Sequence, residues 1–496
     1  MSGHPRVASQ TPKRGWTFGP SDTMRASLRA VTRAARERLA CPVCSTRGYA
    51  VARERTAITS KLWQDRLAQA KAAGVSEAAA TRAQEALVPK PPTRTSIRYS
   101  FSADENLIEA YRNPWNAVRV GRVLEDLDSL AGNIAFSHCD DADRNTRPQL
   151  LVTASVDRVR LMRALKLEED VILSGAVAWV GRSSVVIRME AWPAEHPDAP
   201  ACGDAEDAET RNEKKNDAPG VFGNEKGSGP SLSADFTFVA RDAVTNKSAA
   251  VNPLVPECDA SRALFASTGE RVARKKAALK EATRAGDFKN DLKNADRGAA
   301  NEALAAAKAA FVDAAAREAR AAMELPALAA PDAILSDATR TENMFVAQPQ
   351  QRNLSGRVFG GFLLRRAFEL AFATSYVFGG ARPRFKSVRD MDFLRPVDVG
   401  DLLRFKARVL HVDATHCDTG QCVDVEVECL VTKPESRSAE LSNTFLFTFH
   451  VENETQGGAA HARKARRVLP ASREDAAHVW ERCLRPRLDT ETDYGR

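Results

Sequence analysis

A two-residue period of apolar positions runs through two segments of the C-terminal half of the chain. Valines at every second position of 423–427 are separated by acidic residues, and phenylalanines recur at every second position of 445–449. This period predicts β-strands that bury one face and expose the other to water. Between residues 361 and 376 apolar side chains instead surround the whole helical circumference, which predicts an enclosed helix. A buried helix followed by antiparallel strands indicates a sheet wrapped around a central helix.

The same arrangement occurs twice along the chain. Asn113 and Asn353 each open a turn that leads into an apolar helix, and they lie 240 residues apart. Four strand patterns follow each helix in the same order, at 152–161, 170–180, 185–192 and 236–238, and again at 387–396, 401–412, 422–431 and 445–447. Two copies of one unit indicate an internal duplication. The sequence therefore predicts an α+β fold made of two tandem copies.

Composition divides the rest of the chain into segments outside this repeat. Half of the residues from 301 to 330 are alanine, which favours one long helix over 270–325. Proline, glycine and acidic residues fill 193–230, so too little apolar surface is present to offset the entropy of ordering. The predicted segments are a disordered targeting segment at 1–60, a spacer at 61–95, the first copy at 96–260 with a disordered insertion at 193–230, a helical connector at 261–343, the second copy at 344–453 and a tail at 454–496.

Positive charge is concentrated at the N-terminus. Residues 1–60 contain eleven Lys and Arg and three Asp and Glu, whereas the remainder contains 61 basic and 62 acidic residues. An arginine-rich, acid-poor stretch with alanine and serine is typical of a mitochondrial presequence and predicts a matrix protein; a disordered basic tail is the alternative. The nearly neutral remainder argues against nucleic acid as a partner. No long uninterrupted apolar run occurs, so we expect no integral membrane contact.

A motif at the start of the second helix resembles a known family. The run Asn353-x-x-Gly356-x-x-Phe359-Gly360-Gly361 resembles the signature of hotdog-fold acyl-CoA thioesterases, and residues 389–401 resemble the strand that follows the helix in that family. Further runs at 119–130, 173–181 and 251–256 are similar to the mitochondrial acyl-CoA thioesterase 9 subfamily. The resemblance implies a double hotdog that hydrolyses acyl-CoA to a free carboxylic acid and CoA.

The resemblance further implies that no metal and no organic cofactor is needed, and that such chains associate into homo-oligomers. Cys41 and Cys44 form a CxxC pattern, but neither a second such pair nor a spaced histidine pair follows. Four ligands are the rule for a structural zinc site, so the sequence predicts no metal site.

Thioester hydrolysis needs donors for the developing oxyanion and a group that activates or replaces the attacking water. Gly360 and Gly361 begin the buried helix, where backbone N–H groups and the helix dipole favour negative charge. Asn353 matches the catalytic asparagine implied by the family. Its amide is suited to orienting a water or holding the thioester; turn capping is the alternative role.

The family pattern implies a carboxylate seven residues after the second glycine. The first copy has Asp128 there, seven residues after Gly121, whereas the second has Phe368, followed by Glu369. The first copy in turn has Val120 in place of the first glycine. We therefore predict one composite site and an opposite site that is weak or inactive. The composite site comprises Asn353, Gly360, Gly361 and Asp128, and the opposite site comprises Asn113 and Glu369.

Other roles stay open for the charged residues. Asp128 also fits an acidic helix face shared with Glu125 and Asp126. Basic residues crowd the second copy, where some would bind the phosphates of CoA, and the sequence does not choose among them. They are Arg357, Arg365, Arg366, Arg382, Arg384, Lys386 and Arg395.

Two other functions compete with hydrolysis. A hotdog enoyl-CoA hydratase or dehydratase needs a histidine paired with an aspartate, and His138 with Asp140 or Asp141 is the candidate pair. A non-catalytic acyl-CoA sensor or scaffold belongs to a different class and would keep the fold without the chemistry. A serine hydrolase has no support, because the Gly-x-Ser-x-Gly elbow does not occur.

Overall fold

The computed structural model describes residues 59–60, 64, 87–92, 94–141, 146, 149–200, 229–242, 245–286, 298–353, 356–414, 420–452 and 466–485. All described residues belong to one compact unit, Glu54–Arg496. The basic N-terminal pattern up to residue 58, the cysteines at 41 and 44, and most of the 193–230 insertion lie outside the described residues.

The described part of the first copy contains five strands and two helices: β1 (Thr95–Tyr99), α1 (Glu105–Tyr111), α2 (Val120–Cys139), β2 (Leu150–Leu161), β3 (Val171–Val180), β4 (Ser184–Pro193) and β5 (Leu232–Arg241). Two further helices follow, α3 (Asp259–Gly286) and α4 (Gly298–Glu324). The second copy contains β6 (Ala333–Leu335), β7 (Thr341–Val346), α5 (Gly360–Gly379), β8 (Pro383–Phe393), β9 (Leu402–Asp413), β10 (Gly420–Lys433) and β11 (Ser438–Glu452). The described C-terminal elements are β12 (Arg467–Leu469), α6 (Arg473–Val479) and a π-helical turn at Trp480–Leu484.

Ten strands form one antiparallel sheet in the order β1-β3-β4-β5-β2-β8-β11-β10-β9-β7. Strands β2 and β8 pair at its centre, with Val156 opposite Met391, and thereby join the two copies. Helix α2 packs against the strands of the first copy and α5 against those of the second. The fold confirms the predicted α+β double hotdog.

The two central helices also pack against each other inside the sheet. Leu124 and Leu127 of α2 are completely buried, and Leu363 and Leu364 of α5 are nearly so. The inward valines of β10 are likewise fully buried. The enclosed helix and the two-residue strand period are therefore both confirmed, and they place the start of α5 beside the middle of α2.

The outer face of β10 departs from the expectation of a face exposed to water. Asp424 and Glu426 are at most 1% exposed because the C-terminal elements α6 and Trp480–Leu484 cover them. Arg389 pairs with Asp424 at 2.7 Å, and His478 lies 2.8 Å from Glu426. The segment expected to be a plain tail thus supplies part of the buried structure.

The connector expected as a long helix over 270–325 contains two described helical ranges, and residues 287–297 between them lie outside the described residues. The structure describes two helices, α3 and α4, and α3 packs on β3 at the outer face of the first copy. Arg271 of α3 pairs with the buried Asp235 of β5 at 2.8 Å, and Lys275 pairs with Asp157 of β2 at 3.0 Å. Each copy is therefore covered by helices from outside the repeat.

Candidate active site between the two central helices

The turn before α5 is closed by Asn353. Its side-chain Oδ1 accepts a hydrogen bond from the backbone N–H of Arg357 at 3.0 Å, and its backbone carbonyl accepts one from Gly356 at 3.1 Å. Gly356 has a φ of +83°, a conformation that favours glycine. Phe359 then donates to the carbonyl of Gln351 at 2.9 Å, which fixes where α5 begins. Asn353 therefore does cap the turn.

The turn before α2 repeats this geometry. Asn113 Oδ1 accepts hydrogen bonds from the backbone N–H groups of Trp115 at 3.0 Å and Ala117 at 2.9 Å. Arg119 donates to the carbonyl of Tyr111 at 2.7 Å, as Phe359 does to that of Gln351. The duplication thus extends to individual hydrogen bonds, and equivalent positions differ by 240.

Asp128 of α2 lies against the first turn of α5. The residue is 2% exposed, and its Oδ2 accepts a hydrogen bond from the Gly361 N–H at 2.7 Å. Thr153 of β2 donates from Oγ1 to Asp128 Oδ1 at 3.1 Å. A carboxylate is stabilised there because the first N–H groups of a helix have no partner within the helix. The structure thus brings together Asp128 from one copy and Gly361 from the other.

Both glycines of the pair permit close approach. A Cβ atom on Gly360 would lie 3.1 Å from Phe393 Cζ and 3.3 Å from Asp128 Oδ2. On Gly361 it would lie 2.8 Å from the Phe359 ring and 3.0 Å from the carbonyl oxygen of Glu125. A larger residue at 361 would therefore press on the backbone of α2, and one at 360 would press on Phe393 and the Asp128 carboxylate.

Aromatic rings fill the position beside the start of α2 that corresponds to the Asp128 carboxylate beside the start of α5. Phe368 occupies the position that corresponds to Asp128, and a Cβ on Gly121 would lie 3.1 Å from its ring. The rings of Phe385, Phe447 and Phe449 surround Phe368, with centroids 5.3–5.8 Å away. No carboxylate occupies this position, which is taken by hydrocarbon.

Glu369 lies on the partly exposed side of α5. Its carboxylate pairs with Arg119 and with Arg366, each at 3.2 Å, and its side chain is 36% exposed. The one-residue offset from the family pattern therefore turns Glu369 away from the position held by Phe368, and it does not mirror Asp128.

The remaining acidic residues of α2 are buried and not solvated. Asp126 accepts hydrogen bonds from Thr59 Oγ1 at 2.7 Å, from Tyr99 Oη at 2.8 Å and from Tyr111 Oη. Burial, together with the Asp126 charge, raises the pKa of Tyr99 well above its usual value. The acidic helix face shared by Glu125, Asp126 and Asp128 is therefore enclosed by protein and not exposed to water.

Glu125 pairs with Arg365 of α5 across the helix contact. Glu125 Oε2 accepts from Arg365 Nη1 at 2.7 Å, and both residues are at most 7% exposed. Burial raises the pKa of Glu125 to about 7, and the Arg365 charge opposes this shift. Arg365 is thus committed to the interior and is removed from the candidates for phosphate binding.

The other basic candidates lie nearer the surface. Arg366 stands 4.9 Å from the Phe345 ring and Arg382 stands 5.3 Å from the Trp115 ring. Arg357, Arg384 and Arg395 pair with acidic residues, and Lys386 is exposed. These six residues therefore remain the candidates for binding the phosphates of CoA.

The histidine needed by the hydratase alternative has a structural position. His138 is 4% exposed and its Nε2 lies 2.9 Å from the backbone carbonyl oxygen of Asn252. Burial lowers the pKa of His138. This ring nitrogen therefore lies against a backbone carbonyl and not a carboxylate, while Asn252 Nδ2 donates to the carbonyls of His138 and Asp140 at the end of α2.

Two features of the described ranges bear on metal binding and on membranes. No group of three His, Cys, Asp or Glu side chains there has an arrangement that could hold a metal ion. Among the same residues, no helix combines the length and the apolar character needed to cross a membrane.

Comparison with known proteins identifies the family. The thioesterase superfamily model matches residues 120–199 and 355–439, which contain the two central helices. The chain is 42% identical over 401 residues to acyl-coenzyme A thioesterase 2, chloroplastic, from Humulus lupulus, covering 80% of this chain and 82% of the relative. It is 41% identical over 439 residues to acyl-coenzyme A thioesterase 4, mitochondrial, from the same plant, covering 88% and 73%.

More distant relatives carry related names. Acyl-coenzyme A thioesterase 9, mitochondrial, from Mus musculus is 27% identical over 402 residues, covering 80% of each chain. Among solved structures, a putative oleoyl thioesterase from Lactobacillus plantarum covers 73% of this chain and 98% of its own, with a TM-score of 0.37 and 7% identity. On the strength of its sequence relatives, the chain belongs to the hotdog acyl-CoA thioesterases, enzymes that hydrolyse acyl-CoA to a free acid and CoA.

Proposed function

We propose that this thioesterase uses one composite site, formed by Asn353, Gly360 and Gly361 of the second copy and Asp128 of the first. The observation that carries the proposal is the hydrogen bond from the Gly361 N–H to Asp128 Oδ2, which joins a helix N-terminus to a buried carboxylate. Thr153 joins the site because its hydroxyl holds the other oxygen of Asp128. The aromatic filling around Phe368 supports an inactive opposite site.

Under this proposal, hydrolysis begins with binding of the thioester against the first turn of α5. The thioester carbonyl oxygen replaces Asp128 as acceptor of the Gly361 N–H, and Asn353 Nδ2 donates to the thioester or to the attacking water. Asp128 takes a proton from that water while the water oxygen forms a bond to the carbonyl carbon. The tetrahedral intermediate expels CoA as a thiolate, which takes the proton back from Asp128, and the carboxylic acid is released. Helix N–H groups stabilise the oxyanion most when it carries full charge.

Free-thiol release from acyl-CoAs between acetyl and palmitoyl length tests this proposal. Asp128→Asn preserves size and an acceptor oxygen but cannot take the proton, so we expect kcat to fall by roughly a hundredfold or more. Glu369→Gln, the matched change at the opposite site, should keep kcat. Activity retained by Asp128→Asn, or lost in Glu369→Gln, would refute the composite site. A wild-type chain that binds acyl-CoA but hydrolyses none would instead favour the sensor.

Localisation and assembly are further parts of the proposal. The basic, acid-poor N-terminal segment supports import into the mitochondrial matrix, and two of the relatives named above are mitochondrial while one is chloroplastic. A fluorescent fusion of residues 1–60 should colocalise with mitochondria; accumulation in plastids or cytosol would contradict this.

Association into a homo-oligomer is proposed from the family resemblance and from exposed apolar side chains. Leu328, Val377 and Leu394 are 60–80% exposed in the single chain. Sedimentation at micromolar concentration should give a mass that is a multiple of 54.0 kDa, and a strictly monomeric mass would overturn this part.

A further inference from the structure

Helices α2 and α5 run antiparallel and are linked by two neighbouring polar contacts. Asp128 accepts from the Gly361 N–H, and Glu125 accepts from Arg365, both at 2.7 Å. Glu125 precedes Asp128 by three residues and Arg365 follows Gly361 by four, so each pair of residues shares one helix face. The ion pair therefore lies one helical turn from the proposed catalytic contact.

The ion pair occupies equivalent positions of the duplicated unit. Residues 125 and 365 differ by 240, the same offset as the two asparagine turns. The pair consequently lies near the internal twofold relation between the copies. On one side of it is the Asp128–Gly361 contact, and on the other the Phe368 ring packs against Gly121.

Because both residues are buried, the ion pair contributes little net free energy to the stability of the fold. The Glu125 and Arg365 side chains are 1% and 9% exposed, and removing two charges from water offsets much of their attraction. A buried polar pair does, however, specify register, because sliding one helix past the other would break the contact. Apolar residues at both positions would impose no such requirement.

We infer that the Glu125–Arg365 ion pair is a positioning device that fixes the register of α2 against α5 and so holds the Asp128 carboxylate against the Gly361 amide. This inference rests on the proposed composite site. Neither residue takes part in bond making, and both act through Asp128 and Gly361. A misplacement of about 1 Å in a reacting group lowers the rate by roughly a hundredfold, so register matters for turnover.

The test replaces both charges at once, with Glu125→Leu and Arg365→Met in one chain. Because neither partner is left unpaired, the variant should fold with near-wild-type thermal stability. We expect kcat to fall at least tenfold with KM little changed. The matched control removes another buried charge cluster, on the outer face of the first copy, with Arg188→Met, Arg271→Met and Asp235→Leu in one chain; kcat should stay within about twofold of wild type.

A second readout does not depend on catalysis. Hydrogen exchange of the Gly361 amide, which Asp128 protects, should quicken at least tenfold in the Glu125→Leu, Arg365→Met chain and stay unchanged in the control. Unchanged exchange in the folded variant would overturn the inference even if the wild type proved inactive. A loss of activity in Asp128→Asn alongside normal kcat in the double variant would overturn the inference but leave the proposed function standing.

If the double replacement does not fold, Arg365→Lys provides the same test. Lysine keeps the charge but presents it as a single point without the planar fork. We expect a several-fold lower kcat at unchanged KM and faster Gly361 exchange, whereas wild-type values of both would overturn the inference.

Discussion

Three acidic side chains within one turn of α2 have different surroundings. Asp126 is held by hydroxyl groups, Glu125 by the Arg365 guanidinium, and Asp128 by a helix N-terminus and Thr153. The same carboxyl group therefore serves three purposes: Asp126 anchors neighbouring hydroxyl groups, Glu125 pairs the two helices and, in our proposal, Asp128 takes part in catalysis. The neighbours of each carboxylate, and not its residue type, determine the role.

Thr153 provides a prediction at this scale. Thr153→Val keeps the shape of the side chain but removes the donor to Asp128 Oδ1. A hydrogen bond to a charged group contributes about 1.5–3 kcal/mol, so kcat should fall by roughly tenfold or more. Thr153→Ser, which retains the hydroxyl, should recover most of the activity in steady-state assays. Wild-type kcat in the valine variant would show that Thr153 does not orient Asp128.

At the scale of elements, the contact between α2 and α5 determines what the site can do. Two helices related by duplication meet with unlike residues at equivalent positions: glycine and carboxylate at one end, aromatic ring and glycine at the other. The duplicated scaffold therefore retains two matching turns but only one buried carboxylate at a helix start. Divergence of a few residues has made the two ends of a nearly symmetric helix pair unequal.

Glu125 gives this contact a pH-dependent contribution to stability. Its pKa is about 7 in the folded chain against an ordinary value of 4.5. Between these values the folded state binds the proton that the unfolded state has lost, so stability falls as pH rises, by at most about 1.4 kcal/mol per pH unit. Urea unfolding of wild type and Glu125→Gln should show this difference in slope. If the free energies of unfolding of the two proteins changed with pH in parallel, the raised pKa of Glu125 would be contradicted.

At the scale of the whole molecule, segments outside the duplication complete both copies. The C-terminal elements cover the outer face of β10, α3 covers that of the first copy, and Thr59 enters the core. Thr59 is fully buried and donates to Asp126, although the sequence analysis assigned it to the targeting segment. The folded enzyme therefore includes at least one residue of that segment.

Truncation tests this boundary. A chain that starts at Glu54 should retain wild-type stability, whereas one that starts at Lys61 loses the Thr59 hydrogen bond. Because Asp126 is charged and buried, we expect its free energy of unfolding to fall by about 1.5–3 kcal/mol. Thr59→Val in the longer chain should reproduce the loss. Equal stability of the two truncated chains would show that Thr59 is dispensable.

The fold was predictable because the strand period, the apolar helix and the internal repeat can all be read directly from the sequence. Asp128 became a candidate because the family spacing of a carboxylate seven residues after the second glycine could be checked in both copies. Thr153 was missed because a threonine in a strand has no distinguishing sequence signal. The burial of Asp424 and Glu426 was missed because their cover comes from α6 and the π-helical turn, about 50 residues later in the chain. Local patterns do not report cover supplied by distant segments.

The most direct test of a single composite site compares alanine at the two equivalent asparagines. Asn353 and Asn113 close the same turn with the same side-chain oxygen, so replacement should destabilise each turn similarly. We expect Asn353→Ala to lower kcat for acyl-CoA hydrolysis by roughly a hundredfold or more, and Asn113→Ala to leave it within about twofold. Equal losses in the two variants, or a larger loss in Asn113→Ala, would contradict the account.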